Sequence, residues 1–408
     1  MTSYAQPAGW EPRYAARGER MRASEIRELL KLLEQPGIIS FAGGIPDPAL
    51  FPVAEAHAAY AAVLADPAVA GSGLQYSVSE GYLPLRQWIV RHMGDLGVAC
   101  EVDNIVVTSG SQQALDFLGR LLLSPGDTAL VTAPTYLGAL QAFSAYEPRY
   151  DELRPEDGNR TPASYAQAAA ATGGRVKFAY VVPNFANPTG ETLSLAARER
   201  LLDLAAELDI PVVEDAAYAA LRFEGEALPP IQALEIARRG GIDNARSIYC
   251  GTFSKVLSPG LRVGWIVAPR AMIRRLVLVK QASDLNNSTI NQMVMHRLAE
   301  TAYDTQVERA RAHYRRRRDA MLAALARHMP EGVGWTHPKG GLFVWVRLPD
   351  GADTSSLLDR SVREEGVAFV PGAAFFHDGC GRNTMRLSYS LADEAAIEDG
   401  IMRLARLI

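Results

Sequence analysis

Residues 176–217 read VKFAYVVPNFANPTGETLSLAARERLLDLAAELDIPVVEDAA, and this stretch decides the fold. It opens with an apolar, strand-like run at 176–183 and closes with a second one at 210–217. Between them, residues 193–209 form a helix-like run. A strand, a helix and a second strand in this order are typical of a sheet whose strands are parallel.

The same alternation extends on both sides, over about residues 85–270. A further helix-like run, SQQALDFLGRLLL, occupies residues 111–123. The further strand-like runs are NIVVTS (104–109), DTALVTA (127–133), RSIYCGT (246–252) and VGWIVAP (263–269). The pattern predicts a mostly parallel sheet that helices cover on both faces. Ligands of such sheets lie at the carboxyl ends of the strands, so we expect the functional residues in the loops after VVTS, VTAP, VVPN, VVED and YCGT.

The C-terminal part of the chain has a different pattern. A basic helix-like run (305–329) precedes short strand-like runs within VGWTHPKGGLFVWVRLP (333–349) and NTMRLSYS (383–390), which predicts a smaller α+β domain. Two interpretations of RAHYRRRR (311–318) are open, a nucleic-acid patch and a solvated helix face. Alanine and acidic residues alternate with these arginines at helical spacing, which favours the solvated face.

Two features precede the alternating region. In ASEIRELLKLLEQPG (23–37), apolar residues fall at helical spacing until Pro36, which predicts a helix. The next segment, ISFAGGIPDPALFP (39–52), is too rich in Gly and Pro for regular structure. We expect it to form an irregular loop that lies over another part of the protein.

The bulk composition disfavours several classes of protein. A chain of 408 residues can bury a large core without a metal or disulfide, and its net charge of -4 argues against nucleic acid or an anionic membrane as the main partner. The cysteines, Cys100, Cys250 and Cys380, are far apart and form no CxxC pair, which is typical of a cytoplasmic protein without a zinc site. The N-terminus lacks a signal-peptide core, and the uncharged stretch 128–146 contains Pro134 and polar residues, so we expect no membrane span.

The segment GTFSKVLSPGLRVGW (251–265) carries the sharpest chemical signal. Lys255 follows a strand-like run and lies among the hydroxyl residues Thr252 and Ser254, with Arg262 downstream. A lysine in a desolvated site can lose its proton and attack an aldehyde. Arg262 and the hydroxyls can hold a phosphate. The alternative, a surface lysine beside a loop, is disfavoured by the apolar flanks.

The segment TSGSQQAL (108–115) follows a strand-like run and opens a helix-like run. A Gly-Ser turn at a helix N-terminus presents backbone N–H groups to a phosphate. An ordinary helix cap by Ser109 or Ser111 is an equally good interpretation.

The segment VVEDAAYAAL (212–221) places Asp215 at the end of a strand-like run. A carboxylate buried there needs a cationic partner. A protonated pyridine nitrogen is one such partner, and an arginine in a structural ion pair is the alternative.

Together these segments resemble the class I/II aminotransferases of fold type I. The motifs PNFANPTG (183–190), EDAAY (214–218), GTFSKVLSPGLRVGW and MRLSYS (385–390) stand in the family's order, and the resemblance covers about residue 22 to the end. It implies an α/β fold with a mostly parallel seven-stranded sheet sandwiched by helices, plus a smaller α+β domain. It also implies an N-terminal segment (1–50) that covers the active site as part of the small domain, a large cofactor-binding domain (51–292) and a C-terminal small domain (293–408).

The resemblance implies pyridoxal 5'-phosphate as the cofactor and no metal. Lys255 then bonds covalently to the cofactor aldehyde and moves a proton at the substrate. Residues that hold the cofactor ring are Asp215 on the pyridine nitrogen, Asn187 and Tyr218 on the phenolic oxygen, and Tyr136 stacked on the face. Residues that hold the phosphate are Ser111, Gln112, Thr252, Ser254 and Arg262. Arg386 grips the substrate α-carboxylate, and Tyr76 reaches the phosphate of a partner subunit, which implies a homodimer with shared active sites.

Four of these residues have simpler interpretations. Tyr136 is alternatively a core aromatic and Tyr76 a surface residue. Arg386 lies in an alternating strand and is alternatively a solvent-facing charge. Asn187 in NPTG is alternatively a turn residue, because Asn-Pro and Thr-Gly favour turns.

The N-terminal segment (20–52) resembles the 2-aminoadipate and kynurenine aminotransferase branch. The resemblance implies that Ser24 and Arg27 meet the substrate side chain and that Gly44 makes a backbone contact near its α-carboxylate. Arg27 would favour acidic side chains, or it is only a polar position of an amphipathic helix. Ala186 departs from many relatives, which have Gln before NPTG, and this puts the substrate preference in doubt. Thr252 replaces the Ser often found there and keeps the hydroxyl.

The implied activity is transfer of an amino group from an L-amino acid to a 2-oxo acid, 2-oxoglutarate, by a ping-pong mechanism, with 2-aminoadipate-like or broad specificity. Another reaction with the same cofactor, by a C–S lyase, a decarboxylase or a cyclase, is the first alternative, because the cofactor supplies the carbanion chemistry. A MocR-like regulator is a remote alternative, since only about twenty residues precede the family segment. An inactive binding protein is disfavoured because all the expected polar groups are present.

Overall fold

The computed structural model describes residues 37–408 and, before them, residue 9, residues 13–15 and residues 17–18. The helix predicted within residues 23–37 therefore lies outside the described residues, except for Gly37. Ser24 and Arg27 lie outside them as well.

A seven-stranded sheet forms the centre of the large α/β region. Its strands are β2 (Ile105–Thr108), β3 (Thr128–Val131), β4 (Arg149–Glu152), β5 (Val176–Val181), β6 (Val212–Asp215), β7 (Ile248–Thr252) and β8 (Gly264–Val267). Their order across the sheet is β2-β8-β7-β6-β5-β3-β4. Only β8 is antiparallel to its neighbours, β2 and β7. The predicted mostly parallel sheet is confirmed.

Helices cover both faces of this sheet, which explains why most of its strands are rich in apolar residues. The edge strand β4, with the sequence RYDE, is an exception. These helices are α1 (Val53–Ala65), α2 (Pro67–Leu74), α3 (Leu83–Asp95), α4 (Ser111–Leu122), α5 (Leu137–Ser144), α6 (Pro162–Ala171), α7 (Leu195–Leu208), α8 (Ile231–Arg239) and α9 (Arg270–Gln281). Successive side chains of β5 point to opposite faces. Phe178 and Tyr180 pack with α4 and α5, whereas Ala179 and Val181 pack with α6 and α7.

A single long helix, α10 (Thr289–His328), leads into the C-terminal region. The prediction of a solvated face for its arginine run is wrong for two residues. Arg317 and Arg318 are buried, and ion pairs compensate their charges. Arg317 pairs with Asp47 at 2.7 Å, and Arg318 pairs with Glu224 at 2.6 Å. Both carboxylates come from other parts of the chain.

The C-terminal region is the predicted α+β unit. Its antiparallel sheet has the order β12-β13-β10-β9 and contains β9 (Gly334–Trp335), β10 (Phe343–Arg347), β12 (Val370–Pro371) and β13 (Thr384–Ser388). Helices α11 (Thr354–Arg360) and α12 (Glu394–Ala405) accompany it. The N-terminal strand β1 (Ile39–Ser40) pairs in parallel with β11 (Val367–Ala368), which joins this part of the chain to the C-terminal region. None of the described helices combines the length and apolarity needed to cross a membrane.

Candidate active site

The carboxyl ends of the parallel strands bring several predicted site residues together. Asn187 follows β5, Asp215 ends β6 and Lys255 follows β7. Asn187 links this group to the C-terminal sheet, because its Oδ1 accepts a hydrogen bond from Arg386 Nη1 at 2.8 Å. Among the described residues, no cluster of His, Cys, Asp or Glu side chains is suited to a metal ion.

Lys255 is half-buried at the centre of the site. Its Nζ donates to the carbonyl oxygen of Gly44 at 3.2 Å and lies 5.5 Å from the ring centroid of Tyr218. Burial, aided by the positive charge of Arg386, lowers the pKa of Lys255 to about 8, although the carboxylate of Asp215 opposes this shift. An appreciable neutral fraction of this amine, the form that attacks an aldehyde, is thus present near neutral pH.

Asp215 is 3% exposed and has one unused oxygen. Its Oδ2 accepts a hydrogen bond from the Tyr180 hydroxyl at 2.9 Å, whereas Oδ1 has no partner among the described residues. Burial raises the pKa of Asp215 to about 6, and the hydrogen bond from Tyr180 partly offsets the rise. A buried oxygen without a partner is costly, so this carboxylate is suited to a ring N–H cation.

Arg386 lies on β13 and points into the protein, so the solvent-facing interpretation is wrong. It is 1% exposed, and its guanidinium lies 4.4 Å from the ring centroid of Phe343 and 5.1 Å from that of Phe375. Besides Asn187, it donates to the carbonyl oxygen of Ala42 at 2.6 Å, and its Nε has no partner among the described residues. Burial lowers the pKa of Arg386 to about 10, which leaves it protonated at neutral pH. A buried guanidinium with neutral partners is suited to an anionic ligand.

The turn before α4 lies at the end of the site where the sequence predicts a phosphate. Gly110 has φ 79°, and a Cβ there would lie 2.6 Å from Arg262 Nη2. Arg262 Nη2 donates to the carbonyl oxygen of Ser109 at 3.0 Å. The N-terminus of α4 starts at Ser111, so its backbone N–H groups and the guanidinium face the same turn.

The remaining residues predicted around the phosphate and ring also lie here. Thr252 Oγ1 donates to Ser254 Oγ at 2.8 Å. Gln112 donates to the carbonyl oxygen of Gly138 at 2.6 Å and accepts from the Tyr136 hydroxyl at 3.3 Å. Tyr136 is half-buried and packs against the core, and burial raises its pKa to about 12.

Tyr76 lies apart from this site, whereas Gly44 lies within it and Ala186 lines a cleft. Tyr76 is 78% exposed just after α2, and the described contacts do not connect it to this site. Gly44 lies in the site, where a Cβ would meet the Phe343 ring at 2.7 Å and Arg386 Nη1 at 3.8 Å. Ala186 lines a cleft of about 850 Å³ that also contacts Arg222 and Lys339.

Sequence reasoning missed Tyr180, Phe343 and Phe375. Tyr180 is inside an apolar strand, where it is indistinguishable from a core aromatic. Phe343 reaches Arg386 through the pairing of β10 with β13, and Phe375 reaches it from the short 3-10 helix Gly372–Phe375 that follows β12. The position of Phe343 in an alternating strand-like run was the only signal that the sequence offered.

Comparisons with known proteins agree with this geometry. Residues 45–400 match the model of the family "aminotransferase class I and II". The chain is 43% identical to the 2-aminoadipate transaminase of Thermus thermophilus over 99% of this chain and 98% of that protein. It is also 43% identical to the aromatic-amino-acid aminotransferase 1 of Thermococcus litoralis over 98% of this chain and 94% of that protein.

A solved structure extends the likeness to the cofactor. The α-aminoadipate aminotransferase of Thermus thermophilus, complexed with N-(5'-phosphopyridoxyl)-L-leucine, superposes with a TM-score of 0.86. It is 42% identical, and the match covers 98% of each chain. Because the family model matches most of the chain and these relatives cover nearly all of it, this chain belongs to the class I and II aminotransferases, which transfer amino groups with pyridoxal 5'-phosphate.

Proposed function

We propose that this enzyme transfers the amino group of an L-amino acid to a 2-oxo acid, with 2-oxoglutarate as the acceptor, in two half-reactions at one site. The observation that carries the proposal is the buried guanidinium of Arg386, whose hydrogen-bond partners in the described structure are neutral. It lies across the site from Lys255 and can accept the α-carboxylate that amino acids and 2-oxo acids share.

The residues present fit the cofactor group by group. Asp215 would hold the ring nitrogen through its unused Oδ1. Asn187 and Tyr218 would hold the phenolic oxygen; burial raises the pKa of Tyr218, so its hydroxyl keeps a proton to donate. Tyr136 would cover the ring face. Residues that would hold the phosphate are Ser111, Gln112, Thr252, Ser254 and Arg262. When bound, pyridoxal 5'-phosphate supplies an aldehyde for the amino group and an electron sink for the substrate Cα.

Lys255 would bond to the cofactor aldehyde, the incoming amino group would release it, and its free amine would then take the proton from the substrate Cα and deliver it to the former aldehyde carbon. Its lowered pKa suits both tasks near neutral pH, because efficient proton transfer needs a group whose pKa is close to the working pH. The carbonyl oxygen of Gly44 and the ring of Tyr218 would orient the amine.

Arg386 would orient the substrate by a two-point contact with its α-carboxylate. Asn187 and the carbonyl oxygen of Ala42 hold two of its guanidinium nitrogens, which limits the rotation of the side chain. A fixed carboxylate fixes the direction of the Cα–H bond toward Lys255, and such positioning lowers the barrier to proton transfer.

We propose 2-aminoadipate-like or broad donor specificity. Support comes from the relatives, whose names include 2-aminoadipate and aromatic amino acids. Arg27 and Ser24 would meet the donor side chain, with Arg27 selecting an acidic one. Ala186, which is small, would leave room beside Asn187.

The enzyme would act as a homodimer in the cytoplasm. Exposed apolar residues near one another in the chain support an interface, namely Leu64, Leu74, Tyr76 and Val78. Tyr76 would then reach the phosphate of the partner subunit's site. The free cysteines suit a reducing compartment. For the domains we propose 1–50 as a covering segment of the small domain, 51–292 as the large domain and 293–408 as the small domain.

A donor panel tests the activity. Each amino acid is supplied with 2-oxoglutarate, and kcat/KM is compared between 2-aminoadipate, glutamate, aromatic and aliphatic donors. Formation of glutamate and a 2-oxo acid supports the proposal. Release of ammonia and a side-chain fragment without glutamate would instead support a lyase.

A further inference from the structure

A second buried lysine lies behind the phosphate-binding turn. Lys280, in the last turn of α9, is 0% exposed. Its Nζ donates to the carbonyl oxygen of Val107 and to Oδ1 of Asn287. Both acceptors are neutral, so an ammonium group has been placed in the protein interior with no carboxylate in contact among the described residues. Burying a charge without an oppositely charged partner is costly, so its presence here calls for an explanation.

Asn287 connects Lys280 to the turn by two hydrogen bonds. Its Oδ1 accepts from the ammonium, so its amide nitrogen faces the other way and donates to Ser109 Oγ at 2.7 Å. Because the Ser109 oxygen accepts this bond, the hydroxyl proton stays available as a donor. One chain of hydrogen bonds therefore connects Lys280 to the residue that precedes Gly110.

Two further hydrogen bonds hold the backbone of Ser109. Its carbonyl oxygen accepts from Arg262 Nη2 at 3.0 Å, and its backbone N–H donates to Gln113 Oε1 at 2.7 Å. Lys280 also fixes the end of β2 at Val107, two residues earlier. The lysine thus controls both the position of the turn and the orientation of its hydroxyl.

The positive charge of Lys280 also contributes to the electrostatics of the turn. Burial lowers the pKa of Lys280 to about 8, while the more distant carboxylates of Asp284 and Glu80 oppose the shift, so the group is mainly protonated at neutral pH. Its positive charge adds to that of the α4 N-terminus and of Arg262, and a charge in the interior is screened less than one at the surface.

We propose that Lys280 is a positioning residue for the cofactor phosphate, acting through Asn287 and Ser109 on the turn at Gly110. The inference rests on the proposed function, which places the phosphate at this turn. Lys280 itself does not touch the phosphate. With Lys280 present, the turn has a higher affinity for phosphate than the turn and Arg262 would have without it.

The test compares two ligands that differ only by the phosphate. The full-length chain, freed of cofactor, is titrated with pyridoxal 5'-phosphate and with pyridoxal, and the ratio of the two dissociation constants is determined for each variant. Lys280→Met is expected to reduce the preference for the phosphorylated ligand about 5- to 20-fold, as loss of a charged hydrogen-bonding group does. Asn287→Ala, which keeps the ammonium, is expected to reduce it about 3-fold. Competition by inorganic phosphate should weaken in the same order.

Two further variants separate the possible failures. Arg275→Met removes an exposed charge from the same helix and should leave the ratio unchanged. Arg262→Gln should lower the ratio strongly if the phosphate is bound where we propose. An unchanged ratio in Arg262→Gln overturns the phosphate site and the proposal with it. A lowered ratio there, with Lys280→Met weakening both ligands equally, overturns only the role of Lys280. If Lys280→Met does not fold, an unchanged ratio in Asn287→Ala has the same meaning.

Discussion

Lys255 and Lys280 have the same lowered pKa of about 8 but lie in opposite settings. Burial causes both shifts. Lys255 is half-buried, hydrogen-bonds one carbonyl oxygen and shares its site with Asp215 and Arg386. Lys280 is buried in the interior, where the carbonyl oxygen of Val107 and the side-chain oxygen of Asn287 accept two hydrogen bonds from its ammonium group. A lowered pKa therefore does not identify a reactive lysine; access to a ligand and the groups around that ligand do.

Removal of the accessible lysine should have the largest effect. Lys255→Ala is expected to lower kcat by about 10³-fold or more, since both the covalent attachment and the proton transfer are lost. Steady-state turnover with the best amino donor measures this. Lys280→Ala, assayed with saturating cofactor, should retain far more activity. Near-normal turnover in Lys255→Ala would contradict the assignment of the two lysines.

Activity toward amino acids should also depend on the planar shape of the Arg386 guanidinium. Arg386→Lys keeps the charge but loses the planar two-point contact, so kcat/KM for amino acids should fall about 100-fold. An amine without a carboxylate should react equally well with both proteins. Arg382→Lys, an exposed exchange nearby, is the matched control. Equal losses for the amino acid and the amine would show that Arg386 does not bind the carboxylate.

Removal of the buried Lys280 should affect the stability of the protein and its pH dependence more than turnover. The pKa of Lys280 is about 8 when folded against an ordinary value of 10.5, so between these pH values the unfolded chain binds more protons. The free energy of unfolding therefore gains a contribution that rises with pH across this window, by about 2–3 kcal/mol. Lys280→Met lacks this rise. Urea unfolding of cofactor-free protein at pH 7.5 and pH 10 measures it, and parallel pH dependence in both proteins would refute it.

Removal of the Tyr180 hydroxyl should have a modest effect on activity, through the pKa of Asp215. Its hydrogen bond lowers the pKa of Asp215, so Tyr180→Phe should raise that pKa and move the acidic limb of the kcat/KM profile to higher pH. Because Asp215 must be ionised to pair with the ring nitrogen, activity at pH 6 should fall about 3- to 10-fold, with a smaller loss at pH 8. Phe178→Leu, on the same face of β5, is the control for packing. A loss that is equal at all pH values would indicate a packing defect only.

The smallest effect is expected for the proposed selection of the donor side chain by Arg27. Arg27→Ala should raise KM for 2-aminoadipate or glutamate about 5-fold, because the proposed charge pair with the donor side chain is lost, and should leave KM for leucine and phenylalanine nearly unchanged. Equal changes for acidic and apolar donors would remove the acidic pocket from the account.

The local sequence predicted the parallel sheet and the residues at its carboxyl edge. The alternation of strand-like and helix-like runs places Asp215 and Lys255 at strand ends, and their neighbours in the chain supply the chemical context. The same reasoning could not find Tyr180, because a hydroxyl that faces a buried carboxylate looks like any aromatic in an apolar strand.

Long-range partners explain the other differences. Arg317 and Arg318 looked solvated because their carboxylates, Asp47 and Glu224, are distant in the sequence. Lys280 looked like an ordinary basic residue at the end of a helix. Its burial depends on Val107, whose carbonyl oxygen reaches it only when α9 packs beside β2.

The comparison between the two lysines can be tested directly by covalent trapping. The full-length protein with bound cofactor is reduced with borohydride, digested and analysed by peptide mass spectrometry. A phosphopyridoxyl group is expected on the peptide that contains Lys255 and none on the peptide that contains Lys280. A label on Lys280, or its absence from Lys255, would contradict the assignment of Lys255 as the lysine that bonds to the cofactor.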